Sequence, residues 1–201
     1  MSMLVSSIEA EYRRYQLLAD AAFAQLADAD LSAPGPGGGN SIATLVWHVS
    51  GNLASRFTDF RDSDGEKPWR HRDDEFIGRT VTRAELLEKW SRGWDVLYVA
   101  LGRLTDADLA VEVRIRGQRF RIDQALQRSL AHTVYHVGQI VYLAKAFRQQ
   151  EWQSLSIPVG GSAAYNANPV RDMPGGHLAV PGAAPAGAAT ESSLPPRQDP
   201  R

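Results

Sequence analysis

Four stretches of this chain place apolar residues every three or four positions, and that rhythm limits the fold more than any other feature. A spacing of three and four puts side chains on one face of an α-helix, and each such face needs a partner to bury it. In residues 4–29 the stripe is Leu4, Ile8, Tyr12, Tyr15, Leu18, Ala22 and Leu26. The segment "SAPGPGGGN" (32–40) ends it, because proline and consecutive glycines do not continue a helix. Asn40 or Ser41 caps the second helix, "SIATLVWHVSGNLASRFTDFR" (41–61). In the third, Thr82 and Glu85 have the spacing of a capping box ahead of Leu86, Leu87, Trp90, Trp94, Leu97, Val99 and Leu101. The fourth runs from Ile122 or Asp123 to Arg148.

Between the third and fourth helices the period changes to two. Val111, Val113 and Ile115 alternate with Glu112, Arg114 and Arg116, and Arg119, Phe120 and Arg121 follow a Gly-Gln pair. This predicts a short β-hairpin with one apolar face. Residues 62–78, charged and containing proline and glycine, read as an ordered surface loop. Segments 62–81 and 104–122 are long enough for crossovers, so a strict up-down order of helices is not required. The expected architecture is all-α: a four-helix bundle over residues 1–168, with the hairpin before its last helix. Residues 169–201, rich in Pro, Ala and Gly, lack the large apolar groups that would offset ordering entropy, and they read as a disordered tail.

Composition sets outer limits on function. The chain is 43% hydrophobic and 22% charged, with a formal net charge of −1, so no broad field favours nucleic acid or an anionic membrane. With no cysteine there is no disulfide, no thiolate metal ligand and no cysteine nucleophile. No stretch reaches the roughly 20 apolar residues of a membrane span, and the N-terminus lacks a signal-peptide pattern. The cytoplasm is the expected location.

The chemistry-bearing stretch is "SLAHTVYHVGQIVYLAK" (129–145). His132 and His136 lie one turn apart on one helix face, a spacing from which two imidazoles reach one metal ion. The same spacing also fits two core-edge histidines hydrogen-bonded to their neighbours. A third histidine, His48, stands among Leu45, Val46, Val49 and Leu53 on the second helix. Buried polar groups without partners cost about 1–3 kcal/mol each, and one divalent ion satisfies three imidazoles together. The remaining two of the five histidines, His71 and His177, fall in the charged loop and the tail. Thr44, Asn52 and Ser55 on the second helix, and Arg128, Ser129 and Gln139 on the fourth, form polar lines beside the histidines. They outline a shared wet cavity, although each alone fits a helix edge facing water.

His48 with the HxxxH of His132 and His136, inside "NSIATLVWHVSGNL", "SLAHTVYHVGQIVYLAK" and "WQSLSIPVGGSAAYN", resembles the DinB-like superfamily, also called DinB/YfiT-like metalloenzymes. More narrowly, these phrases resemble a bacterial subgroup of unknown function. The resemblance covers about residues 3–168. It implies the DinB helical bundle, often a homodimer, and a metal site formed by His48, His132 and His136. It also implies a divalent ion, zinc or nickel first, with iron or manganese as alternatives. Some relatives transfer bacillithiol, and others use mycothiol to isomerise maleylpyruvate.

Three neutral imidazoles leave a fourth coordination position open, which is the catalytic rather than the structural pattern for zinc. The expected function is therefore metal-dependent transfer of a low-molecular-weight thiol to an electrophile, or hydrolysis of a small substrate. The alternative is a non-catalytic, metal-stabilised dimeric stress or binding protein. Arg128, one turn before His132 on the same face, is the candidate catalytic residue, holding an anion or transition-state charge near the metal. A salt bridge to Asp59 or another carboxylate is its other reading. The hairpin arginines Arg114, Arg116, Arg119 and Arg121 fit either a carboxylate-binding patch or a solvated strand face. Gly160, Gly161 and Ser162 fit an anion-binding turn or an ordinary surface turn, and Trp47 is a candidate for the pocket mouth.

Overall fold

The computed structural model describes residues 3–172 and 176–178. Among these the chain is mostly helical. Its elements in order are α1 (Met3–Ala24), α2 (Asp28–Ser32), α3 (Ile42–Phe57), α4 (Arg83–Leu101), β1 (Glu112–Ile115), β2 (Gln118–Arg121), α5 (Ile122–Arg148) and α6 (Ser162–Ala167). Four of the six helices are long, and they are the four that the apolar rhythm anticipates. The tail expected over 169–201 lies outside the described residues, apart from 169–172 and 176–178.

The helix starts follow the sequence closely. Ser41 Oγ accepts a hydrogen bond from the Thr44 amide at 3.1 Å. Thr82 Oγ1 accepts from the Glu85 amide at 3.2 Å, while the Thr82 amide donates to Glu85 Oε2 at 2.8 Å. These side chains satisfy first-turn groups that have no partner inside the helix.

Two helix ends differ from expectation. The first helix stops at Ala24 rather than near residue 29, and α2 follows separately. The Arg83 guanidinium donates to the carbonyls of Phe23 (2.9 Å), which also accepts from the Leu26 amide, and Leu26 (2.7 Å), and pairs with Asp28 at 2.7 Å. A cation on the last carbonyls of a helix also complements its dipole. The second long helix stops at Phe57 rather than residue 61. Asp59 then adopts a positive φ of 46°, and the chain folds back so that Phe60 packs on Phe57 at 5.0 Å between ring centroids.

α3 packs along α4, α1 along α5, and α3 also meets α5. At the α3–α4 crossing Gly93 is needed for contact: a Cβ there would lie 2.7 Å from Ser50 Cα. The core between the helices holds Tyr12, Phe23, Leu45, Leu53, Leu86, Trp90, Trp94, Leu97 and Ile140. Leu4, Leu87 and Val99, counted in the apolar stripes above, are exposed.

The hairpin is as the alternation predicts. Val113 pairs with Phe120 and Ile115 with Gln118 in antiparallel register. Arg116 and Gly117, both at positive φ (54° and 73°), form its two-residue turn, the geometry that matches strand twist. Val113 is buried and Val111 is exposed, so the apolar face is shorter than the sequence suggests. Asp64 clamps the turn by accepting from the amides of Arg116 (2.8 Å) and Gly117 (2.7 Å). The 62–78 segment is thus more than a surface loop: it ties the hairpin to the helices and buries Lys67, Arg70 and Glu75.

Candidate metal centre

His48 sits midway along α3, and His132 and His136 sit on successive turns of α5. Because α3 and α5 pack against each other, the three rings converge. Their centroids are 5.1 Å (48–132), 4.7 Å (48–136) and 4.6 Å (132–136) apart. One nitrogen from each lies within 4.8 Å of the others. A tetrahedral ion held at about 2.0–2.1 Å by each nitrogen needs separations of about 3.3 Å. The His48 Nε2 to His132 Nε2 distance is 3.1 Å.

The opposite edges of two rings are already committed. His48 Nδ1 is 2.8 Å from Glu75 Oε2, and His136 Nδ1 is 2.8 Å from Gln139 Oε1. A carboxylate oxygen and an amide oxygen can only accept, so both Nδ1 atoms carry a proton, and in the neutral rings both Nε2 atoms keep their lone pairs. Glu75 is itself fixed. Burial alone would raise its carboxyl, but hydrogen bonds from His48 and Arg70, with the Arg70 charge, outweigh that and hold it below the usual range. Arg70 grips it with two bonds, Nε to Oε1 at 2.8 Å and Nη2 to Oε2 at 2.9 Å. Phe76 covers the His48 ring at 4.6 Å.

His132 is held neutral. Burial, then the neighbouring His136 and His48 and the charges of Arg70 and Arg56, push its pKa down to about 3. Burial likewise pushes His136 down, against the opposing Gln139 hydrogen bond. The His48–His132 contact has a donor only if His132 protonates its own Nε2. A cation between the rings replaces that proton and uses all three lone pairs. The donor set therefore fits a divalent ion: three neutral imidazoles, two of them oriented by carboxylate or amide partners.

A cavity of about 180 Å³ opens beside His48 and His132. Asn52, Phe57, Phe60, Ser129 and Arg128 line it, so of the polar lines read from α3 and α5 it joins Asn52 to Arg128 and Ser129, and Gln139 does not line it. Arg128 is exposed at its edge, with its guanidinium 5.8 Å from the Phe120 ring centre. Among the described residues it makes no ion pair, with Asp59 or any other carboxylate. Of the hairpin arginines, Arg116 pairs with Glu66, Arg119 with Glu112 and Arg121 with Asp123, and only Arg116 lines the cavity. Ser55 is turned away to Gly65 O at 2.7 Å, and Thr44 to Ser41 at 3.0 Å. Trp47 is not at the mouth; it stacks under Arg79 at 4.8 Å on another face. His177 lies near Glu11 at 2.9 Å, away from the centre, and Gly161 only starts the short α6.

Glu75 and Arg70 are the residues that sequence reasoning missed. They come from a segment without period, folded into a helical turn over Arg72–Phe76. The available signal was an acidic residue within a loop following the histidine helix, which is too common to single out.

Residues 2–161 match a family described as "Protein of unknown function (DUF1572)". The chain belongs to this family. No curated protein and no solved structure matches it significantly. All three candidate ligands, Glu75 and Gln139 fall within the DUF1572 region. Among the described residues no helix is long and apolar enough to cross a membrane.

Proposed function

We propose that this DUF1572 protein is a divalent-metal-dependent enzyme whose ion is held by His48, His132 and His136. The carrying observation is that the Nδ1 atoms of His48 and His136 are bound to Glu75 and Gln139, leaving the Nε2 atoms free where the rings converge. Zinc and nickel suit three imidazoles best, with iron or manganese as further candidates. When bound, such an ion supplies Lewis acidity that makes a water or an incoming thiol nucleophilic near neutral pH.

The chain's own contribution is positioning. Glu75 and Gln139 fix the ring tautomers, Phe76 shields one face of His48, and the cavity admits a substrate beside His48 and His132. Because the chain has no cysteine, a thiol nucleophile comes from a low-molecular-weight cosubstrate. Arg128, exposed at the cavity edge and without a counter-charge among the described residues, is placed to receive negative charge on the substrate. The packing of α3 on α4, α1 on α5 and α3 on α5 supports reading the four long helices as a DinB-type bundle, and a homodimer is the assembly we propose for it.

Elemental analysis of untagged protein tests the ion: about one divalent ion per chain is expected, lost in His48→Ala and His136→Ala. Turnover is then sought with bacillithiol, mycothiol and glutathione against an electrophile panel. Activity that survives His48→Ala unchanged would count against the enzyme reading. A second reading has its own support, since the same centre ties α3, α5 and the Arg72–Phe76 turn together. If metal removal lowers the melting temperature sharply and no thiol turns over, the ion is a structural pin in a non-catalytic protein.

A further inference from the structure

The cavity beside the histidines is far more cationic than the chain around it. Five arginines line it: Arg56, Arg70, Arg72, Arg116 and Arg128. Among the described residues no carboxylate does, whereas the whole chain carries a net charge of −1. The carboxylates that pair with these arginines stand behind them. Glu66 serves both Arg56 (3.2 Å) and Arg116 (3.0 Å), Glu75 serves Arg70, and the highly exposed Asp73 is 3.5 Å from Arg72. Among the described residues five guanidinium groups thus meet three carboxylates, and Arg128 meets none.

A second observation is independent of this count. Arg70 is more than nine-tenths buried, and its Nε and Nη2 are spent on Glu75. Its remaining nitrogen, Nη1, is a buried donor without a partner. A buried N–H of a charged group left unpaired is costly, and an oxyanion in the cavity satisfies it. The wall also presents apolar side chains, Phe57, Phe60, Ile115 and Ala125, beside His48, His132, Asn52 and Ser129.

We infer that this cavity binds a small organic oxyanion, a carboxylate or a phosphate monoester. Its charged end is held by Arg128 and Arg70 Nη1, and its apolar body lies against Phe57, Phe60 and Ile115. At about 180 Å³ the space is below the roughly 300–1,000 Å³ of pockets for drug-sized ligands, so the occupant is small. Calling this anion the substrate rests on the metal-enzyme reading above; its binding to the arginines does not.

The test is calorimetric titration of the full chain with benzoate, phenyl phosphate and the neutral isostere benzamide. Each is run on zinc-loaded protein and on protein stripped with chelator and dialysed, with metal content measured in the same samples. Benzoate or phenyl phosphate is expected to bind in both states, with benzamide weaker by roughly 10–100-fold, the range of a charge-assisted hydrogen bond. Arg128→Gln, at an exposed position that tolerates change, is expected to lower anion affinity by about tenfold at an unaltered melting temperature, and Arg128→Lys to restore part of it. Equal binding of benzamide, no binding of either anion, or anion affinity indifferent to Arg128→Gln would overturn the inference. Anion binding that disappears with the metal would also overturn it, by placing the anion on the ion instead of the arginines. Absence of metal with anion binding intact would leave this inference standing and remove the metal reading.

Discussion

On α4, Trp90, Trp94 and Tyr98 follow one another at four-residue steps; on α5, His132 and His136 do the same. The α4 rings pack against each other at 5.2 and 5.9 Å, and Phe23 and Tyr12 close on them edge-on at 5.5 and 6.2 Å. Two of their polar tips are satisfied from α1: Trp90 Nε1 donates to Asp20 at 2.8 Å, and Tyr98 Oη donates to Gln16 at 2.7 Å. The α5 rings also meet edge-on, at 4.6 Å, yet their free nitrogens point at each other and at His48. Equal spacing thus gives a filled core on one pair of helices and a converging donor set on another. What separates them is the content of the rings: the tryptophans and the tyrosine present apolar faces that pack, and imidazoles present lone pairs that need a proton or a cation.

The largest effect that breaks this comparison comes from the filled side. Trp94 is fully buried, and Trp94→Ala is expected to cost about 3–5 kcal/mol, read as a shift in urea midpoint. Metal bound per folded molecule should stay the same, since Trp94 touches none of the three histidines. A loss of metal in protein that still melts cooperatively would show that the aromatic core sets the ring geometry across the molecule.

On the open side, Glu75→Gln keeps an acceptor for His48 Nδ1 but removes the charge that makes the ring a better ligand. Metal affinity is expected to fall by about 10–100-fold in a competition titration with a chromophoric chelator. Arg70 loses its counter-charge in the same variant, so the melt has to be recorded alongside. Gly51→Ala displaces the same carboxylate while keeping its charge. A Cβ at residue 51 would overlap the Glu75 carboxyl, whose carbon would be only 2.9 Å away, meeting first Oε1, the oxygen that Arg70 Nε grips, and would shift the carboxylate from both Arg70 and His48 without removing any charged group. Alanine also favours the helix by about 1 kcal/mol over glycine. Affinity about tenfold lower is the expected result, with the melt recorded alongside. Unchanged affinity would mean that the carboxylate does not orient the ring.

These variants also mark where the sequence was readable. Ser41 and Thr82 act through neighbours three positions away, so spacing alone located them, whereas the hairpin turn falls at Arg116–Gly117, one residue before the Gly-Gln pair that the sequence suggested. The histidines were readable because imidazoles are out of place in apolar stripes, and the stripes fix which face each one occupies. Glu75 reaches His48 across 27 residues from a segment with no period, and Arg70 reaches Glu75 inside that same segment. Their roles depend on how a charged loop folds back, which no helical or strand rhythm encodes. The early end of α1 was hidden for the same reason: Arg83, which caps it, lies 57 residues from Leu26.

The smallest effect returns to the filled side and depends on pH. Burial raises the Asp20 carboxyl from 3.8 to about 6, against the opposing hydrogen bond from Trp90. Below about pH 4 the group is protonated in both the folded and the unfolded chain, and its protonated form is the one the fold prefers. Between about pH 4 and 6 the unfolded chain releases the proton first, so stability is lost as pH rises through that window. Above it, the folded chain carries a buried carboxylate. Asp20→Asn keeps an oxygen to accept from Trp90 Nε1 and has no charge to bury. It should therefore match the natural chain near pH 4 and exceed it at pH 7 by about 1 kcal/mol, a figure discounted for the partial exposure of the site. Urea melts of both proteins at pH 4, 5, 6 and 7 isolate this difference, because carboxylates elsewhere titrate alike in the two chains. A gap that is constant with pH would mean that the Trp90 bond, not burial, governs Asp20, and that the aromatic core tolerates a charge at its edge as readily as the histidine cavity does.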